Sequence, residues 1–238
     1  MLIYGLHACK NAVLSGKNDI SKVYVLNNKQ LPEFLSGLDD RKITSVSEFE
    51  FQKLLPKNAV HQGVAMEVSD KAESDITDLA SAPKNCIIAI LDNVTDPQNL
   101  GAIIRTAATL GISGIILSDK SSCKITGTVA KTASGGLEHV SIFIVKNLAQ
   151  AIEKIQSYGF WVVSFCERGE KFIYEIDLKG KICLVFGAEG SGIRRLQKEK
   201  SDFVVKLPTN PQFPTLNVSA SAAIAFYEAA KQNNFGLY

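Results

Sequence analysis

From Cys86 to the end of the chain, short unbroken apolar runs alternate with amphipathic segments, and this alternation leaves few architectures open. Uninterrupted apolar runs predict strands buried on both faces at 86–91, 112–117, 141–145, 161–165, 182–186 and 203–207. Apolar residues at helical spacing predict helices at 100–110, 125–133, 148–158 and 193–200. A last helix at 218–232 would carry Val218, Ala222, Ala225, Phe226 and Ala229 on one face. Such alternation implies a parallel sheet covered by helices on both sides. In an open α/β sheet the ligand site lies beyond the carboxyl ends of the strands, so the loops after strands are where chemistry is sought.

Ahead of this region, residues 1–70 read as a small α/β unit. It has a helix at 5–14, strands at 22–26, 43–46 and 65–68, a weak helix at 31–38, and a helix opened by Ser47 and Glu50 at capping-box spacing. No catalytic constellation lies there, so its role is either recognition or packing. Residues 71–84 are polar with few apolar anchors and read as a linker or a short surface helix. Residues 85–238 form the larger domain.

Charge and cysteine usage exclude several classes. The net charge is +2, and residues 1–70 carry eight basic and eight acidic side chains, so a nucleic-acid footprint must be a local patch. No apolar run approaches the ~20 residues of a membrane span. Met1-Leu2-Ile3-Tyr4-Gly5 lacks a basic segment followed by a long apolar stretch, so no signal peptide is read and a cytoplasmic location is expected. The five cysteines form no C-x-x-C pair and are expected to be reduced thiols. His7, His61 and His139 have no metal-ligand spacing with them, so no metal is expected.

Four post-strand loops carry unusual residues. The first leads through Asp96, a candidate cap, and Pro97, at the first helical position, into a helix that Gly111 can stop. Asn99 and Arg105 flank its apolar stripe on opposite sides; a cap-turn amide and a solvated arginine are the plain alternatives. The second, Lys131-Thr132-Ala133-Ser134-Gly135-Gly136-Leu137, either stops a helix or allows close backbone approach to a ligand. The third, Gly187-Ala188-Glu189-Gly190-Ser191-Gly192, is not G-x-G-x-x-G, and Glu189 would repel phosphate, so it suits a hydroxyl or a cationic centre. Arg194, Arg195 and Lys198 follow it; they are either a solvated face or the best local candidate for RNA phosphate contact, with Arg194 and Lys198 on one helix face. The fourth, residues 207–219, holds three prolines that pre-shape it, and it delivers Asn217 and Ser219 at a helix start, where ordinary capping is the alternative.

Three of these loops together resemble the signatures of the SpoU-like (TrmH-type) RNA ribose 2′-O-methyltransferases. Asp96-Pro97-Gln98-Asn99-Leu100-Gly101-Ala102-Ile103-Ile104-Arg105-Thr106-Ala107 resembles the first. Leu184-Val185-Phe186-Gly187-Ala188-Glu189-Gly190-Ser191-Gly192-Ile193 resembles the second, and Leu207-Pro208 with Thr215-Leu216-Asn217-Val218-Ser219 the third. Their order and spacing match over about residues 86–232. Ile3-Tyr4-Gly5-Leu6-His7-Ala8 and His61-Gln62-Gly63-Val64 are similar to the small RNA-recognition domain of the bacterial 23S rRNA guanosine branch.

The resemblance implies an α/β knot, that is, a C-terminal parallel-sheet domain with a deep trefoil knot, binding S-adenosylmethionine and working as a homodimer on RNA. It implies a catalytic cluster of Asn99, Arg105, Glu189 and Asn217, and cofactor contacts at Gly187, Leu207 and Leu216; Ser134 and Gly135 are added as candidate cofactor contacts. Thr209, Pro211 and Thr215 depart from the family's third signature, which bears on cofactor contacts more than on the reaction. Transfer of a methyl group to a ribose 2′-oxygen needs no metal; it needs alignment and management of the hydroxyl proton. A guanidinium resists deprotonation, so Arg105 is assigned to stabilising the developing alkoxide. Two alternatives stand beside a 23S rRNA guanosine methyltransferase: a tRNA ribose methyltransferase, and a non-catalytic RNA-binding protein that kept the fold.

Overall fold

Two sheets divide the chain as the hydropathy pattern requires. The computed structural model describes residues 1–57, 59–69, 73–188, 190 and 192–234. The first sheet has strand order β1-β4-β2-β3, with β1 at Leu2–Tyr4, β2 at Ile20–Leu26, β3 at Ile43–Val46 and β4 at Val64–Val68. Helix α1 (Leu6–Ser15) follows β1, and α2 (Glu48–Leu54) follows β3. Ser47 and Glu50 close the expected capping box on α2. The weak helix at 31–38 is only a 3-10 turn, Glu33–Leu35. Pro32 starts it and Gly37 stops it, leaving room for one turn around the buried Leu35.

The second sheet is parallel throughout, in the order β7-β6-β5-β10-β8-β11-β9. Its strands are β5 Ile87–Leu91, β6 Gly114–Ser118, β7 Ser141–Val145, β8 Trp161–Phe165, β9 Lys171–Phe172, β10 Ile182–Phe186 and β11 Phe203–Lys206. The helices are α3 Pro97–Thr109, α4 Gly127–Ala133, α5 Leu148–Ser157, α6 Arg195–Glu199 and α7 Val218–Gln232. From β5 the chain builds outward through β6 to β7, then crosses back and adds β8, β10 and β11 on the other side of β5. The strand order therefore reverses at the β5/β10 pair, where such sheets open a crevice. Both strands are buried along their whole length, as their apolar runs require.

Asp96 accepts from the backbone N–H groups of Gln98 and Asn99, so α3 starts at Pro97, three residues before the first apolar position of its stripe. Helix α6 is shorter than the predicted 193–200, and Arg194 lies before it in extended conformation. The shared helix face of Arg194 and Lys198 is therefore not formed. Residues Ile76–Ser81 make a short 3-10 helix whose Leu79 is buried, and the Ser74 N–H donates to Ile142 O at 2.8 Å, so the segment between the sheets is docked rather than loose. The first unit seats directly on α4: the Tyr4 hydroxyl lies 3.5 Å from Thr128 Oγ1, and the Lys131 ammonium bonds Val60 O and lies over the Tyr4 ring.

Candidate active site

A cleft of about 970 Å³ opens at the carboxyl ends of β8 and β10 and beneath the start of α7. That volume suits a nucleoside-sized ligand. Phe165 and Phe186 stack inside it with ring centroids 4.8 Å apart. The loop after β10 folds back on itself: Ala188 bridges Gly192, whose N–H donates to Ala188 O at 2.9 Å. A Cβ on Gly187 would sit 2.1 Å from Gly192 C, so only glycine allows this closure. Glu189 and Ser191 lie outside the described residues.

The cleft walls fit S-adenosylmethionine by their chemistry. Aromatic and aliphatic faces from Phe165, Ile193 and Leu216 suit the adenine, and the hydroxyl of Thr215 and the loop backbone suit the ribose. The carboxylate of Glu167 with the cation of Arg168 suits an amino-acid zwitterion next to a sulfonium. Gly187, Leu216 and Asn217 line this cleft. Leu207 instead packs against the core, half-buried.

Asn217 is a helix cap and more. Its Oδ1 accepts from the Ser219 and Ala220 N–H groups at 2.8 and 3.4 Å, while its Nδ2 donates to Asn99 Oδ1 at 2.9 Å. One side chain thus makes both the cap and the bond to Asn99. The Asn217–Asn99 bond ties the edge of the cleft to the first turn of α3.

Arg105 lies elsewhere. It is exposed on the other flank of α3 and lines a second cleft of about 350 Å³ with His7, Asn11, Ser134 and Gly135. The structure thus brings Asn99 to Asn217 and sets Arg105 apart from both. Ser134 and Gly135 lie beside Arg105 rather than along the larger cleft of the same chain.

The basic run splits three ways. Arg194 Nε donates to Asp92 Oδ1 at 2.8 Å, Nη2 forms a second bond to the same carboxylate, and the Arg194 backbone N–H reaches Asp92 Oδ2 at 3.2 Å. Asp92 is fully buried at the end of β5, so it needs such a partner, and its carboxylate holds the Arg194 pKa above the ordinary value. Arg194 is therefore anchored to Asp92 while half of its side chain still faces solvent. Arg195 is exposed and pairs with Glu199 at 2.6 Å, and Lys198 faces the larger cleft.

Asp92, Phe165 and Glu167 were not singled out from the sequence. Asp92 had a signal, since a carboxylate directly after a doubly buried strand must find a cation. Phe165 and Glu167 had one too, because the loop after β8 obeys the same post-strand rule as the four loops chosen. Among the described residues, no group of three or more His, Cys, Asp or Glu is placed to hold a metal, and no helix is long and apolar enough to cross a membrane.

Comparison with known proteins matches this division. A model of the SpoU rRNA Methylase family matches residues 86–227, and one described as RNA 2′-O ribose methyltransferase substrate binding matches residues 2–74. The 23S rRNA (guanosine-2′-O-)-methyltransferase RlmB of Pseudomonas putida is 34% identical over 239 residues, covering 97% of this chain and 96% of that protein. The protein of the same description from Coxiella burnetii is also 34% identical, covering 97% and 95%. Among solved structures, the SpoU methyltransferase AviRb from Streptomyces viridochromogenes in complex with AdoMet superposes with a TM-score of 0.84 at 21% identity, covering 98% of this chain and 89% of that one. The TrmH/SpoU tRNA modifying enzyme of A. aeolicus gives a TM-score of 0.57 at 26% identity, covering 66% of this chain and 80% of that one.

Proposed function

The chain belongs to the SpoU rRNA methylase family, and we propose that it transfers a methyl group from S-adenosylmethionine to a guanosine ribose 2′-hydroxyl of 23S rRNA. The observation that carries the choice of RNA is coverage. The rRNA enzymes match across both units, whereas the tRNA enzyme covers 66% of this chain.

When bound, the cofactor supplies a methyl on a sulfonium, a leaving group that needs no metal. The chain's residues do the rest. The closed loop at Gly187 and the side chain of Leu216 shape the cofactor cleft. Asn217 holds Asn99 at its rim, so cap, cleft edge and α3 move as one. Arg105 presents a planar, permanently charged fork to the acceptor, stabilising the alkoxide as the proton leaves to water or a phosphate oxygen. Glu189 is assigned to holding the acceptor or pairing with Arg105. Lys198 and Arg195 are assigned to RNA phosphates at the cleft mouth.

Because Arg105 and the larger cleft of the same chain are apart, the proposal includes a homodimer in which Arg105 of the partner subunit completes the site. An apolar surface on α7 supports this: Ile224 and Tyr227 are 43% and 53% exposed beside Tyr174 at 58%. The trefoil knot belongs to the same proposal; the placement of β10 inside the sheet and the packing of α7 on α3 support it. The proposal also includes the limits 1–70, 71–84 and 85–238 for the RNA-recognition unit, the connecting segment and the methyltransferase domain, and a cytoplasmic location.

The test is calorimetry with S-adenosylmethionine, followed by tritiated methyl transfer to 23S rRNA and to tRNA separately. Binding, with label in 23S rRNA recovered as 2′-O-methylguanosine, is the expected result. Label in tRNA alone overturns the substrate, and no cofactor binding overturns the enzyme.

A further inference from the structure

The smaller cleft joins the two units of the chain through two helices that face each other. His7 and Asn11 lie one turn apart on α1, and Arg105 and Thr109 one turn apart on α3, so each pair shares a helix face. The turn at residues 134–136 is held between them. Ser134 and Gly135 take left-handed φ values of +55° and +94°. A Cβ on Gly135 would lie 2.3 Å from Asn11 Nδ2, and one on Gly136 would lie 3.1 Å from Arg105 Cα. Adjacent glycines thus let one turn touch the N-terminal helix on one side and α3 on the other. Asn11 latches the contact, its Nδ2 donating to His7 O at 2.9 Å and to Ser134 O at 3.3 Å.

The lining of this cleft is rich in hydrogen-bond donors. It carries the guanidinium of Arg105 and the imidazoles of His7 and His139, all three exposed, and among the described residues no carboxylate lines it. The nearby acid, Glu138, is engaged with the far end of α1: it accepts from Ser15 Oγ at 3.4 Å, and its carbonyl accepts from Lys17 Nζ at 2.7 Å. A guanidinium fork with flanking N–H donors and no opposing acid is a receptor for an anion.

We infer that this cleft seats the RNA phosphodiester next to the acceptor ribose, with His7 and His139 donating N–H groups to its oxygens beside Arg105. The inference rests on the methyltransferase function proposed above. It makes the N-terminal unit part of the acceptor site rather than a remote anchor. Docking of RNA on that unit and placement of the 2′-hydroxyl then become a single event, because the same turn fixes both helices.

The test uses the full chain and a 23S rRNA transcript. Methyl transfer by the unaltered protein is measured first; its absence sinks the underlying function, not this assignment. KM for RNA, kcat and affinity for S-adenosylmethionine are then compared for His7→Ala, His7→Gln, His139→Ala and Lys17→Ala. Loss of a hydrogen bond to a charged group raises KM for RNA on the order of tenfold in His7→Ala and His139→Ala. Cofactor affinity stays as it was, and His7→Gln, which keeps an N–H donor, recovers most of the loss. Lys17→Ala, which loosens the same docking outside the cleft, leaves KM unchanged. In RNA binding, His7→Ala combined with Arg105→Ala costs less than the sum of the two. An unchanged KM in both histidine variants overturns the inference. So does an equal loss in Lys17→Ala, which would mean that His7 acts only through docking.

Discussion

Truncating Arg194 tests how the cofactor loop is held. Asp92 is 0% exposed and Arg194 is 52% exposed, so the pair is asymmetric. In Arg194→Ala the carboxylate keeps the backbone N–H of residue 194 but loses both guanidinium bonds. Breaking a fully buried pair costs about 3–5 kcal/mol; half of this pair already faces water, which can reach Asp92 once the side chain is gone, so about 2–3 kcal/mol is expected. For a chain of this size that lowers Tm by about 4–12 °C. Asp92→Asn keeps the shape and one acceptor and costs about 1–2 kcal/mol. The double variant loses less than the sum, because no buried charge is left without a partner. Thermal and urea unfolding at low and at 0.5 M salt (about a 4 Å screening length) read these numbers. Calorimetry reads the accompanying loss of cofactor affinity, since Asp92 N–H also bonds Phe186 O at 2.8 Å at the root of the loop. The reasoning is refuted if Arg194→Ala costs under about 0.5 kcal/mol, the range of an ordinary surface substitution. Costs that add across the pair refute it as well.

Three further outcomes follow from the same geometry. Gly187→Ala forces the loop open against Gly192, costing about 1–3 kcal/mol of stability, and weakens cofactor binding at least about tenfold by calorimetry; unchanged affinity contradicts the closed loop. Cys166 lines the larger cleft half-buried, so a maleimide labels it and S-adenosylmethionine slows that labelling. Cys9, Cys86 and Cys183 stay unlabelled, because burial hides them and raises their pKa values, that of Cys9 to about 12; peptide mapping that shows equal labelling with and without cofactor contradicts the assignment of the cleft. Re-associating Arg105→Ala with Gly187→Ala, assayed at cofactor well below the weakened Kd so that each alone is nearly inactive, restores about a quarter of full activity, since half the dimers are mixed and each holds one intact composite site; a mixture that stays inactive places both groups in one chain.

The fold was legible where apolar residues come in runs. Strands Ser141–Val145, Trp161–Phe165 and Ile182–Phe186 fall at their predicted limits because each is centred on residues buried in the core, and the fully buried polar residue among them, Ser164, is bonded to Ser201 Oγ at 2.6 Å. Helix starts were legible through Asp96, Ser47 and Asn217, whose side chains close their own caps. Strands Leu2–Tyr4 and Lys171–Phe172 were not, being too short to carry a period. The site was legible by residue type but not by direction. Asn99 and Arg105 are six residues apart, which turns them about 240° around the helix axis. The sequence therefore separates their faces, but only tertiary packing tells that one face meets α7 and the other borders the cleft that α1 also lines. The pairing of Arg194 was hidden for a related reason: a basic run shows its charge, while the buried carboxylate that holds one member comes from a strand far away in sequence.

The most direct measurement is single-turnover transfer of tritiated methyl from S-adenosylmethionine to 23S rRNA by the unaltered protein, Arg105→Lys and Arg105→Ala, with cofactor affinity measured alongside. An electrostatic stabiliser of the alkoxide is worth about 100- to 1,000-fold in rate, so Arg105→Ala should lose that much while binding the cofactor as tightly as before. Arg105→Lys keeps the charge without the fork and should fall between the two. Near-full activity in Arg105→Ala, or a rate loss matched by lost cofactor affinity, contradicts the account.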